Sequence, residues 1–93
     1  MSVVKSGTVE NWGEALADIA SVLYFKQAVP ERWEYFANNL AALRRNLADK
    51  WPQHETTAWL HKVIASGANK PVEQSLFDAA FSLRLQFRPE AGR

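Results

Sequence analysis

The chain lacks cysteine, has few glycines and carries little excess charge. The absence of cysteine from its 93 residues excludes disulfides, thiolate nucleophiles and cysteine-ligated zinc, and is typical of a reducing compartment. The four glycines stand far apart, at Gly7, Gly13, Gly67 and Gly92, whereas a phosphate-binding loop needs several close together. The net charge of +1 is small for a protein whose main task is to bind phosphates.

Long apolar runs are also missing. The uncharged stretch IASVLYF at 19–25 is far shorter than the roughly 20 residues that span a bilayer. The N-terminal residues contain no apolar run of signal-peptide length. We therefore expect a cytoplasmic protein without a membrane partner.

No residue pattern indicates catalysis or a metal site. His54 and His61 are seven positions apart, which separates them by about 10 Å along a helix, whereas a zinc-binding helix needs its histidines four positions apart. The serines lack the glycines of a nucleophile elbow, and the carboxylate pairs are explained by helix starts and solvated faces. We expect no enzymatic activity, no metal and no cofactor.

Apolar periodicity predicts four helices, at about 8–27, 30–50, 53–66 and 70–87. The second carries a continuous apolar seam with spacings of three and four residues, formed by Trp33, Phe36, Leu40, Leu43, Leu47 and Trp51. Three prolines stand near helix starts, and Gly67 is placed to end the third helix in a left-handed conformation. The sequence therefore predicts one all-α domain over 1–93, a four-helix up-and-down bundle that fills the seam from within the chain, with flexible ends at about 1–7 and 89–93.

The segment 82–88 allows a second interpretation. Leu83, Leu85 and Phe87 alternate with polar residues, which is the period of a half-buried strand. A helix is favoured because VEQSLFDAAF leads into this segment without a break, and an isolated strand would need a mate.

The predicted fourth helix is apolar on two opposite sides. One face carries Val72, Leu76, Ala79, Ala80, Leu83 and Phe87. Phe77, Phe81 and Leu85 fall on the other side, with Arg84 and Arg88 beside them. Because large rings and arginine carry much of the energy of protein interfaces, we predict that Phe77, Phe81, Arg84, Leu85 and Arg88 bind a partner. The alternative is a central helix that is packed on both sides.

A possible complement lies on the first helix. Glu10, Glu14 and Asp18 recur every four residues, on the side away from the apolar face. Such a row is commonly a solvated face. Across a two-fold axis it could also meet Arg84 and Arg88 of a second copy, so we expect either a homodimer or an adaptor that binds another protein.

Two further interpretations stay open. A basic patch of Arg44, Arg45, Lys50 and Lys62 could bind nucleic acid, although basic residues at a helix end also complement its carbonyl groups. Residues 53–87 also have the outline of a helix-turn-helix. The segment that would enter the DNA groove, KPVEQSLFD, carries one lysine and two acidic residues, which suits base recognition poorly. The four tryptophans could line a ligand pocket, although in a core this small we expect their side chains to fill the core instead.

Overall fold

The computed structural model describes residues 9–51 and 56–88, with side chains from residue 12 onward. These residues form four α-helices: α1 (Val9–Ala28), α2 (Trp33–Leu47), α3 (Thr57–Ala65) and α4 (Leu76–Gln86). The predicted all-α class and four-helix bundle are therefore confirmed. The predicted flexible ends at 1–7 and 89–93 lie outside the described residues.

Helix α1 is the centre of the bundle and contacts the other three helices, while α2 also contacts α3. The end of α1 meets the start of α2 through the rings of Phe25 and Phe36, whose centroids are 5.7 Å apart. The start of α1 meets the end of α4, where Arg84 Nη1 donates to the Trp12 carbonyl oxygen at 2.9 Å. Helix α1 therefore runs antiparallel to both α2 and α4.

The core consists of a few large side chains and many alanines. The largest fully buried side chains come from α1 and α3, and are Trp59, Ile19, Leu23, Leu60, Val22 and Val63. Helices α2 and α4 present mainly alanine to the core, at Ala37, Ala41, Ala79 and Ala80. Small side chains let these two helices approach α1 closely, and they leave most of the larger residues of α2 and α4 on the periphery.

The end of α3 follows the prediction. Gly67 has a φ of +90°, the left-handed region that favours glycine, and Ala68 follows with a φ of +50°. The Lys26 ammonium of α1 donates to the Gly67 carbonyl oxygen and, at 3.0 Å, to Asn69 Oδ1. This turn is thereby tied to the end of α1.

Helix α4 begins later than predicted. Residues 70–75 form a turn, and α4 starts after Ser75, whose Oγ accepts a hydrogen bond from Asp78 N at 3.1 Å. Val72, which was expected on the buried face, lies before the helix and is 94% exposed. The prediction was wrong here because it took Pro71 instead of the capping serine as the start.

The strand interpretation of 82–88 is wrong. Residues 82–86 are helical, and Phe87 N donates to the Leu83 carbonyl oxygen at 2.9 Å to close the last turn. The alternation in this segment does not follow burial, because Leu85 is 61% exposed while the charged Arg84 is only 7% exposed.

The seam of α2 is only partly filled. Leu43 is 50% exposed and Trp51 is 43% exposed, while Ala37 and Ala41 are buried. At about 100° per residue, Ala37, Ala41 and Arg44 share one face, and Leu43 lies well to its side. The prediction that the whole seam packs inside the bundle was therefore wrong for Leu43 and Trp51.

Trp59 allows a test of how α4 is anchored. Its Nε1 donates to the Arg84 carbonyl oxygen at 3.0 Å, in the last turn of α4, where helix carbonyls lack a partner within the helix. We expect Trp59→Phe to lower the free energy of unfolding by about 2–3 kcal/mol, because it leaves a buried carbonyl unpaired and opens space beside it. Urea unfolding measures the effect.

The matched control is Trp51→Phe, at an exposed tryptophan, which we expect to change stability by less than about 0.5 kcal/mol. Equal losses in the two variants would contradict the anchoring role of Trp59.

Candidate protein-binding surface

The outer face of α4 carries three large apolar side chains. Phe77, Phe81 and Leu85 are 56%, 46% and 61% exposed and recur every four residues, so they form one continuous row, here called the α4 stripe. On the opposite face, Ala79, Ala80 and Leu83 are buried. The second apolar face expected from the sequence is therefore exposed, and its partner-binding role stays a prediction.

The exposed apolar surface continues from α4 onto α1. An open groove of about 280 Å³ between the two helices is lined by Ala17, Ala20, Ser21, Tyr24, Phe25, Leu76 and Phe77. Small residues of α1 form the floor of this groove, and Tyr24, which is 57% exposed, stands at its rim. Two helices thus contribute to one contiguous apolar surface, a feature typical of interaction sites.

Arg84 does not belong to the exposed surface. It is only 7% exposed, and its guanidinium lies 4.0 Å from the ring centroid of Trp12 and 4.9 Å from that of Phe81. Burial lowers the pKa of Arg84. The prediction that Arg84 contacts a partner from an exposed position was wrong, because this arginine lies at the border with α1 and holds Trp12 in place.

Arg88, the second residue after α4, is exposed, with its guanidinium 5.7 Å from the Trp12 ring centroid. At the other end of the same face lies Asp78, an exposed residue that the sequence analysis missed. The signal was present in the spacing, because Asp78, Phe81, Leu85 and Arg88 follow one another at intervals of three, four and three residues.

The predicted acidic complement on α1 is not an exposed row. Asp18 is 2% exposed, and it accepts hydrogen bonds at 2.9 Å from both Nε and Nη2 of Arg44. Thr56 Oγ1 donates to the same carboxylate at 2.5 Å. The expectation that Asp18 faces solvent or a partner was wrong, because α1 is central and α2 covers this side of it.

The other two acidic residues give little support to that row. Glu14 is partly buried and contributes, behind Asp18, to the charge environment of Arg44. The side chain of Glu10 lies outside the described residues. An acidic surface on α1 that receives Arg84 and Arg88 of a second copy is therefore not present as predicted.

One residue of the predicted basic patch, Arg44, is bound within the bundle. The two hydrogen bonds with Asp18 raise the pKa of Arg44 in spite of its partial burial, so this guanidinium is engaged within the bundle. Arg45, Lys50 and Lys62 are exposed, and Lys50 Nζ lies 5.3 Å from the Trp51 ring centroid. Three exposed cations make a weaker phosphate-binding surface than the four predicted.

The four tryptophans are spread over the bundle. Trp59 is fully buried and packs against Trp12, with ring centroids 6.0 Å apart. Trp33 lies 5.4 Å from Lys26 Nζ, near the other end of α1, and Trp51 is largely exposed. The expectation that the tryptophans fill the core is therefore right for Trp59 and wrong for Trp51.

Within 9–51 and 56–88, no group of three or more His, Asp or Glu residues is placed to hold a metal ion; His54 lies outside these ranges. None of the helices in this part of the chain is long and apolar enough to cross a membrane.

Comparisons with protein-family models, curated proteins and solved structures found no match to the chain.

The ion pair between Asp18 and Arg44 allows a matched test. We expect Arg44→Leu to lower the free energy of unfolding by about 3–5 kcal/mol, because it leaves the buried Asp18 carboxylate without its cation. Arg45→Leu, at the neighbouring exposed position, should change stability by less than about 0.5 kcal/mol. Denaturant unfolding at neutral pH compares the two, and equal effects would show that Asp18 does not depend on Arg44.

Proposed function

We propose that this protein is a protein–protein interaction module that associates with a second copy of itself through the α4 stripe. The observation that supports this is the exposure of Phe77, Phe81 and Leu85 in one row, continuous with the groove beside Tyr24. The absence of any recognisable catalytic pattern favours a binding role over an enzymatic one. The lack of cysteine favours the cytoplasm as its compartment.

The strength of the association can be bounded. Complete burial of a large apolar side chain is worth about 1.5–3 kcal/mol, and the three residues of the α4 stripe are already about half buried. Two copies would therefore gain on the order of 6 kcal/mol from the stripe. Since a micromolar complex needs about 8 kcal/mol net of the association cost, the groove and Tyr24 must contribute as well. We expect a dissociation constant in the micromolar range or weaker.

Nucleic-acid binding has less support. Arg44 is engaged by Asp18, which leaves three exposed cations, Arg45, Lys50 and Lys62. Salt separates the two functions, because phosphate binding weakens steeply as salt is added, whereas an apolar interface weakens little.

Leu85→Asp is the sharpest single test of the α4 stripe. We expect it to weaken self-association at least tenfold, because it places a charge within the apolar contact. Phe81 is a poorer choice, since its ring also packs on the buried Arg84. Sedimentation equilibrium up to several hundred micromolar gives the mass, which for the wild type should approach twice the chain mass of 10.5 kDa.

Leu43→Asp is the matched control, because Leu43 on α2 is exposed to a similar degree and lies outside the α4 stripe. It should leave the dissociation constant unchanged. A wild-type protein that stays monomeric, or a Leu85→Asp variant that associates as the wild type does, would refute self-association through α4.

A further inference from the structure

The outer face of α4 carries charges of opposite sign at its two ends. Asp78 stands in its first turn and Arg88 is the second residue after its end, with Phe81 and Leu85 between them. Asp78 and Arg88 are ten residues apart, which corresponds to about 15 Å along a helix axis. The face therefore presents acid, aromatic, aliphatic and base in that order.

Both end charges are available for a partner. Asp78 and Arg88 are exposed, and no carboxylate or cation of the described residues forms an ion pair with either of them. The backbone N–H of Asp78 bonds to Ser75, which holds the start of the helix and leaves its carboxylate toward solvent. The Arg88 guanidinium lies 5.7 Å from the Trp12 ring centroid, and the residue is nevertheless exposed.

The order of these residues makes the face complementary to itself when one copy is reversed. If two α4 helices lie antiparallel across a two-fold axis, Asp78 faces the partner subunit's Arg88, and Phe81 faces the partner subunit's Leu85. The two-fold axis repeats each contact with the roles exchanged, as an isologous interface requires. A parallel alignment would bring equal charges together at both ends, which is unfavourable.

We infer that the occupant of the α4 stripe is a second copy of this chain, bound antiparallel in the register that pairs Asp78 with the partner subunit's Arg88. This inference rests on the proposed self-association and specifies its geometry. The apolar residues supply most of the affinity, while the two ion pairs at the rim select the direction and register. Exposed ion pairs are individually weak, but reversing one charge converts attraction into repulsion twice in each dimer.

Charge reversal tests the register directly. We expect Asp78→Arg alone and Arg88→Asp alone each to weaken self-association by about tenfold. An equimolar mixture of the two variants should regain the wild-type affinity to within about threefold, because every introduced charge then faces its opposite in the mixed dimer. The double variant with both reversals should associate as the wild type does.

Sedimentation equilibrium measures all four samples, with circular dichroism to verify that each variant retains its helical content. Glu34→Arg and Arg45→Asp, at exposed charges of α2, are the matched controls and should change nothing, alone or mixed.

The failures are distinguishable. If the wild type dimerises and both single reversals dimerise equally well, the register is overturned while self-association stands. If the mixture associates more tightly than the wild type and the single variants do not differ from it, the helices are parallel and the inference is overturned. A wild type that is monomeric throughout overturns both the inference and the proposed function.

Discussion

The buried ion pair between Asp18 and Arg44 determines how the bundle is arranged around α1. A carboxylate with 2% exposure is costly unless it is paired and hydrogen-bonded, and here two bonds from Arg44 and one from Thr56 meet that requirement. Arg44 must face α1 to make these bonds, which turns α2 so that Ala37 and Ala41 point inward. The exposure of Leu43 follows from this rotation. Thr56 brings the start of α3 to the same point, so three helices share one polar junction.

Helix α4 is held differently, through an inner face of alanines and two anchors near its end. Trp59 bonds to the Arg84 carbonyl, and the Arg84 guanidinium bonds to the Trp12 carbonyl and lies over its ring. These contacts, together with the buried Leu83, fix the helix without burying Phe77 or Leu85. The α4 stripe is consequently available, whereas a helix with its phenylalanines turned inward would have exposed Ala79, Ala80 and Leu83 in their place.

Much of the fold could be predicted from the sequence, because apolar periodicity records which residues are buried when one face dominates, as it does in α1 and α3. Helix starts were harder to predict. Pro71 is a strong signal, but Ser75 with its bond to Asp78 N is the actual cap. The buried charges could not be predicted, since periodicity treats Asp18, Arg44 and Arg84 as surface residues, and only the three-dimensional arrangement shows their partners. The apolar part of the candidate site was visible as a second stripe, while Asp78 is recognisable only from its spacing to Phe81, Leu85 and Arg88.

The anchoring of α4 also has a consequence for the order in which the chain is made. Arg84 and Trp12 are 72 positions apart, so the side of α1 that α4 covers stays uncovered during synthesis until the residues of α4 have left the ribosome. Contacts of such long sequence separation form late and slowly. Until α4 emerges, the nascent protein therefore exposes Ala20 and its apolar neighbours on α1, and a chaperone that binds apolar segments would find its target there.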